Sequence, residues 1–268
     1  MNLIELINNS EPVENLKIGF LGQSGYVLKK DKTILLIDPY LSNYVEHPDG
    51  GNNSKMKREF PPVVGPEEIH NIDAVLCTHT HVDHMDPWTL GEIDYPFKLY
   101  CSKSAYSQNP LNIDDDQLLF MDWEHTYTIN EFQVIPIPAA HYHKADQEGN
   151  PDCLSFLISV GELTLFFWGD GIPYNGLIDR LRSVQFHFFF APINGRDWFR
   201  EEKGIIGNLD SRELVEICRK LNIDTVIPNH FDMFEYNGEY PEHFINYLNQ
   251  FAPNQGYKIL EKGEIITV

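Results

Sequence analysis

The sequence predicts a layered α/β domain in which helices lie outside packed β-sheets. Three observations carry this expectation. Short apolar runs rich in Val, Ile, Phe and Leu recur along the 268 residues, separated by turn residues. Stretches at helical spacing are fewer and fall between those runs. No internal repeat, low-complexity tract or Pro/Gly/Ser-rich linker divides the chain, so one domain covering 1–268 is expected.

Taken in order, residues 16–21 read as a strand, 22–25 as a turn, and 26–29 with 33–37 as a hairpin. Further strands are expected at 74–77, 97–101, 132–137, 154–159, 163–168, 186–191 and 225–227, with a tight turn at Val160-Gly161-Glu162. Residues 257–260 and 264–268, around Glu261-Lys262-Gly263, read as a last hairpin. For the helices, Asp210 is an N-cap with an acid three residues on, and Leu214, Val215, Ile217, Cys218 and Leu221 follow at helical spacing. Pro241 opens a second helix over 241–251, and a third is expected to start near Asp86-Pro87.

Composition narrows the function. Hydrophobic residues make up 42%, with 17 Phe and 13 Tyr, which supplies the bulk of a packed core and argues against disorder. Forty acids against 20 bases give a net charge of −20, a field that repels phosphate backbones, so nucleic acid is not an expected partner. The N-terminal residues have no basic region or small-residue cleavage site, and no apolar run approaches a membrane span, so neither a signal peptide nor a membrane partner is expected. Cys77, Cys101, Cys153 and Cys218 form no CxxC pair and read as buried free thiols, consistent with a cytoplasmic protein.

The most informative stretch is Thr78-His79-Thr80-His81-Val82-Asp83-His84, immediately after an apolar run. Extended backbone would point His79 and His81 to one side. A helical first turn would then aim Asp83 and His84 at a second point nearby. That arrangement suits two metal ions. Other apolar runs also lead to polar residues: 132–137 to His141 with His143 close behind, 163–168 to Asp170, and 225–227 to His230. Ligands at strand ends put the chemistry on one rim of a rigid scaffold. His47, His70, His125, His187 and His243 lack this context and read as surface or packing residues.

The spacing HxHxDH, then a distant His, an Asp after a strand and a final His resembles the metallo-β-lactamase superfamily. More narrowly, GQSGY at 22–26, IDPYLS at 37–42, IDAVLCTHTHVDHMD at 72–86, PING at 192–195 and IPNHFDMF at 227–234 resemble the L-ascorbate 6-phosphate lactonase branch. The resemblance implies an αββα sandwich of two mixed sheets with helices on the outer faces. It also implies that His79, His81 and His141 hold one divalent metal ion and Asp83, His84 and His230 another, with Asp170 between them. His141 rather than His143 takes the ligand position because it directly follows a Pro-Ala turn. Zinc or manganese is the expected metal, with iron acceptable to the same donors. The branch resemblance makes self-association an expectation.

Two cations sharing a water lower its pKa enough to generate hydroxide near neutral pH. Asp83 and Asp170 are the residues expected to orient it and to pass a proton to the leaving group. Asp38 is expected either to accept a ligand imidazole N–H or to cap the turn at Asp38-Pro39. Residues 42–72 form a long irregular segment expected to be a lid, whose Lys55, Lys57 and Arg58 would bring cations to an anionic substrate. Arg196, His143 and Asn194 are further candidate substrate contacts, Arg196 suiting a carboxylate or phosphate. The expected reaction is hydrolysis of a lactone or ester in a small anionic metabolite. Phosphodiester cleavage on the same fold is the alternative. A redox di-metal protein or a non-catalytic relative is more distant.

Overall fold

Alternation along the strands sorts apolar side chains onto the two faces of each sheet, and both faces are buried. The computed structural model describes residues 1–50, 56–108, 111, 113–123, 125–141 and 151–268. In chain order the strands are β1 (Val13–Gly22), β2 (Gly25–Asp31), β3 (Thr33–Ile37), β4 (Ala74–Leu76), β5 (Lys98–Cys101), β6 (Leu118–Phe120), β7 (Tyr127–Ile129), β8 (Phe132–Ala139), β9 (Cys153–Val160), β10 (Leu163–Phe167), β11 (Gln185–Pro192), β12 (Asn222–Asn229), β13 (Gly256–Tyr257) and β14 (Ile265–Thr267). They form two mixed sheets, ordered β14-β1-β2-β3-β4-β5-β6 and β13-β12-β11-β10-β9-β8-β7.

The helices are α1 (Leu3–Asn8), α2 (Pro87–Glu92), α3 (Lys103–Gln108), α4 (Leu177–Leu181), α5 (Trp198–Glu201), α6 (Ser211–Cys218) and α7 (Pro241–Phe251). Leu35 and Ile37 of β3 face the second sheet and pack with Phe132, Phe156, Phe167 and Phe190 in the central core. Their neighbours Ile34 and Leu36 face outward onto α1 through Leu3, Leu6 and Ile7. On the far side Phe166 and Trp168 meet α4, α6 and α7 through Leu177, Leu214 and Phe244. The chain is therefore layered helix, sheet, sheet, helix, with one core between the sheets and one under each helical layer.

Local chemistry explains the helix starts. Asp210 accepts from the Glu213 N–H at 2.8 Å, and the Glu213 carboxylate reaches back to the Asp210 N–H at 3.2 Å, the capping box expected for α6. Asp86 caps α2 with Pro87 in its first turn. The same box, built from Asn2 and Glu5, makes α1, which the sequence reading left out. The last expected hairpin is corrected. A turn does form, with the Glu264 N–H bonded to the Glu261 carbonyl, but β13 pairs with β12 and β14 with β1, in different sheets. Leu260 drops into the central core between them.

Candidate metal centre

The carboxyl ends of β4, β8, β10 and β12 deliver the histidines and aspartates to one rim. After β4 the chain bends through residues 78–81 and closes a single turn, with the His84 and Met85 N–H groups both bonded to the His81 carbonyl. Asp83 and His84 thus lie in a tight turn and not in a helical first turn, and α2 starts at Pro87, where a helix is expected from the sequence. Asp170 follows β10 between two glycines. Gly169 has φ +69°, and a Cβ there would stand 2.9 Å from the Thr78 side chain. Gly171 has φ +144°, and its Cβ would stand 2.8 Å from the Ala140 carbonyl. Both positions therefore require glycine to bring the β10 loop against its neighbours.

The structure gathers His79, His81, His141 and Asp170 into one group and Asp83, His84 and His230 into another, each with its donor atoms within 4.8 Å of one another. Asp170 lies between them. Its Oδ2 is 3.9 Å from His79 Nε2, 3.9 Å from His141 Nε2 and 3.3 Å from His230 Nε2, while Oδ1 is 3.3 Å from His84 Nε2. Asp83 Oδ2 is 3.5 Å from His230 Nε2 and 3.9 Å from His84 Nε2. His79 Nε2 and His84 Nε2 are buried and make no hydrogen bond. Buried polar atoms without a partner are costly in a folded protein. Mostly buried imidazole nitrogens and carboxylate oxygens converging in two compact groups fit cations, so the donor set matches divalent metal.

Electrostatics separates the two groups. Burial lowers His79 and His81 below the ordinary imidazole value and takes His141 down to about 4. Burial acts in the same sense on His84 and His230, but there the carboxylates win. Asp170, Asp38 and Asp83 raise His84 well above the ordinary value, and Asp170 with Asp83 pushes His230 up to about 9. Burial would raise Asp83 and Asp170 in turn, yet the histidines beside them hold both below the usual carboxylate range. Without metal at neutral pH, one side presents neutral imidazoles and the other imidazolium–carboxylate pairs.

A ligand nitrogen must be unprotonated, so cations at the second group displace protons from His84 and His230. Metal uptake at pH 7 is expected to release about two protons per chain. The apparent affinity of that group should rise with pH until His230 is neutral above about 9, and fall as pH drops. Calorimetry in buffers of different ionisation enthalpy measures the release, and uptake without it at pH 7 would contradict this assignment.

Supporting residues hold the ligands. Asp38 accepts from the Thr78 N–H and Thr78 Oγ1, both at 2.7 Å, and lies 2.8 Å from His84 Nδ1, so it directs the Nε2 lone pair of His84 toward the centre. Gln23 is a residue the sequence reading missed, having treated 22–25 only as a turn. Its carbonyl accepts from the His230 N–H at 3.0 Å and its side-chain amide donates to Asp83 Oδ2 at 2.8 Å. Gln23, Asp38 and His230 all have positive φ, at 56°, 44° and 56°. Such strain collects at functional sites, but no sequence pattern announces it for these residue types. Gln23→Ala is expected to weaken metal at the Asp83/His230 group by ~10- to 100-fold, with the first group unaffected. Stepwise metal titration checks this, and two unchanged affinities would remove Gln23 from the site.

The expected substrate contacts fare differently. Lys55 and His143 lie outside the described residues. Lys57 is exposed. Arg58 is buried, and its guanidinium donates to the carbonyls of Tyr40, Ser42 and Phe60 at 3.0, 2.7 and 3.1 Å. It clamps the start of the 42–72 segment instead of presenting a charge to substrate. Arg196 makes a bidentate pair with Glu213 at 2.7 and 2.6 Å and donates to the Asn208 carbonyl at 2.8 Å, tying its loop to α6. Asn194 is buried in a network with Asn208, Asn237 and Arg200. Carbonyls engage Arg58, and amides with Arg200 engage Asn194, whereas Arg196, although paired with Glu213, lines a cavity beside the centre with His141, Ile205 and Ile206.

A cavity of about 270 Å³ opens over the centre. His81, Asp83, Asp170 and His230 form its floor, and Val45, Met56, Val82, Ile205, Ile206 and Phe234 contribute to its walls. Val45 and Met56 come from the 42–72 segment, so that segment does border the site. None of the described helices is long and apolar enough to cross a membrane.

The profile of the family described as Beta-lactamase superfamily domain matches residues 33–231. Among curated relatives, a protein of Methanobrevibacter smithii named UPF0173 metal-dependent hydrolase is 24% identical over 270 residues, covering 93% of this chain and 95% of its own. The chain spans about a third, 34%, of the mycobacterial uncharacterized proteins it also matches, at 26% identity over 131 residues. Among solved structures, an isothiocyanate hydrolase from Delia radicum gut bacteria superposes with TM-score 0.72 at 14% identity, covering 94% of this chain and 98% of that one. A diiron β-hydroxylase from Streptomyces venezuelae superposes with TM-score 0.67 at 15% identity, covering 96% of this chain and 55% of that one. At such identities these two likenesses concern the fold.

Proposed function

The chain belongs to the β-lactamase superfamily, and from that premise we propose that it is a metal-dependent hydrolase with a two-metal centre that opens an ester or lactone. One observation carries the reading. The cavity floor offers two groups of metal donors sharing Asp170, while no Ser, Thr, Cys or Lys is among the described residues lining the cavity. This favours water as the attacking group, with Asp83 and Asp170 engaged as metal donors. The name metal-dependent hydrolase carried by full-length relatives agrees with this.

His79, His81, His141 and Asp170 would hold one cation, and Asp83, His84 and His230 the other. Bound divalent cations supply Lewis acidity and bring the pKa of water toward neutrality. Asp83, its side chain 13% exposed against 4% for Asp170, faces the cavity and is the group placed to handle the proton. Water adds to the acyl carbon, the bond from that carbon to the alcohol oxygen breaks, and the proton given up by water passes through Asp83 to the departing oxygen. Gln23 keeps Asp83 oriented during the transfer, and Asp38 fixes the tautomer of His84. The nitrogen and oxygen donors suit zinc or manganese and also accept iron.

The test is a parallel assay of zinc-, manganese- and iron-loaded protein on aryl esters, γ-lactones and bis(p-nitrophenyl) phosphate. Ester or lactone cleavage that disappears on chelation is the expected result. Cleavage of the phosphodiester alone would replace this reading with the phosphodiesterase alternative, and inertness toward all three with metal bound would overturn it.

A further inference from the structure

The walls above the metal centre are built for an apolar group. Val45 and Phe234 are core residues, packed with Tyr40 and Met233, and Met56 and Val82 pack against the same cluster. That side of the cavity is backed by buried side chains. Ile205 and Ile206 close the opposite side, and Asn237 adds one neutral amide, whose Oδ1 already accepts from Arg200 at 3.0 Å. Among the described residues no Lys or Arg lines the cavity. Of the nearby described cations, Arg58 turns to main-chain carbonyls, Arg200 to Asp197 and Asn194 and Lys262 to Asp232, while Arg196, paired with Glu213, lines a second cavity with His141, Ile205 and Ile206.

We infer that the cleft selects an uncharged ester or lactone with a short apolar arm, not the anionic metabolite expected from sequence; this rests on the hydrolase reading above. Among the described lining residues the charged side chains are confined to the floor, where the scissile carbonyl must sit. Among the described residues, the walls above it are aliphatic or aromatic apart from glycine backbone and the Asn237 amide. A terminal carboxylate or phosphate pressed against the apolar part of those walls would lose its water and meet no cation among the described lining residues, which is strongly unfavourable. An alkyl arm instead gains from burial in proportion to its apolar area. The cavity, about 270 Å³, suits an arm of a few carbons.

The experiment compares p-nitrophenyl butyrate with the mono-anionic p-nitrophenyl hemisuccinate, which places a carboxylate where butyrate has its methyl end. The metal-loaded protein is expected to favour butyrate in kcat/KM by at least ~10-fold, the scale set by an uncompensated buried charge. Ile206→Lys, and independently Met56→Lys in case the first fails to fold, should move the ratio toward the hemisuccinate by a similar factor. Binding of the uncleavable analogues butyranilide and succinanilate to the wild-type protein gives a readout independent of turnover, with butyranilide expected to bind more tightly. Equal or faster cleavage of the hemisuccinate overturns the inference and leaves the hydrolase reading standing. Cleavage of neither ester would instead count against the hydrolase reading, and the anilide affinities then decide charge preference alone, succinanilate binding as tightly as butyranilide overturning the inference.

Discussion

Asp170→Asn is expected to reduce kcat/KM for ester hydrolysis by at least ~10³-fold, the order that follows from losing several kcal/mol of metal-based charge stabilisation. The carboxylate is the element common to both donor groups, within 3.9 Å of His79 and His141 through one oxygen and 3.3 Å of His84 through the other. An amide of nearly the same shape presents one weak oxygen donor and an NH₂ group, which repels a cation. The fold should survive, because the side chain is isosteric and the flanking Gly169 and Gly171 keep their contacts. The variant should also lower the pKa of His84 and His230, since Asp170 is the leading cause of the upward push on both. Steady-state kinetics, circular dichroism and histidine NMR titration check the three parts. Normal turnover with retained metal would show that Asp170 does not join the two groups.

Asp38→Ala is expected to destabilise the protein by about 3–5 kcal/mol, because each buried donor left without an acceptor costs roughly 1–3 kcal/mol. Three donors lose their acceptor together: the Thr78 N–H, the Thr78 hydroxyl and His84 Nδ1. Alanine at φ +44° adds strain that aspartate tolerates better. Losing the group that orients His84 should also cost ~10- to 100-fold in metal affinity. Asp38→Asn keeps an acceptor oxygen and should lose much less stability. Denaturant unfolding of the metal-free proteins separates the stability effect from the metal effect. An alanine variant unfolding at the wild-type midpoint would show that this network does not brace the site.

These two residues illustrate what the sequence reveals and what it hides. The histidine-rich turn after β4 is legible because three imidazoles and a carboxylate within six residues have few other uses. Asp170 and His230 are legible because each ends an apolar strand, and Asp38 for the same reason at the end of β3. The layered architecture follows from strand alternation, as Leu35 and Ile37 face one way and Ile34 and Leu36 the other. Partners distant in sequence are where the reading fails. Gln23 reaches Asp83 across 60 residues and His230 across 207, and only the closed sandwich brings those loops together. The Arg196–Glu213 pair is hidden because Glu213, 17 residues on, belongs to a helix whose placement the sequence does not give. The final turn was read correctly, but its flanks joined two different sheets, a choice made by tertiary packing and not by local pattern.

Joint metal binding by the two donor groups, with Asp170 shared, is the step on which the proposed activity depends. Its most direct test is titration of metal-free protein with Mn²⁺, followed by equilibrium dialysis and electron paramagnetic resonance. About two equivalents per chain and a spin-coupled signal at saturation are expected, since Asp170 lies close to donors of both groups. One equivalent with an isolated-ion spectrum, or no stoichiometric binding, would contradict joint binding.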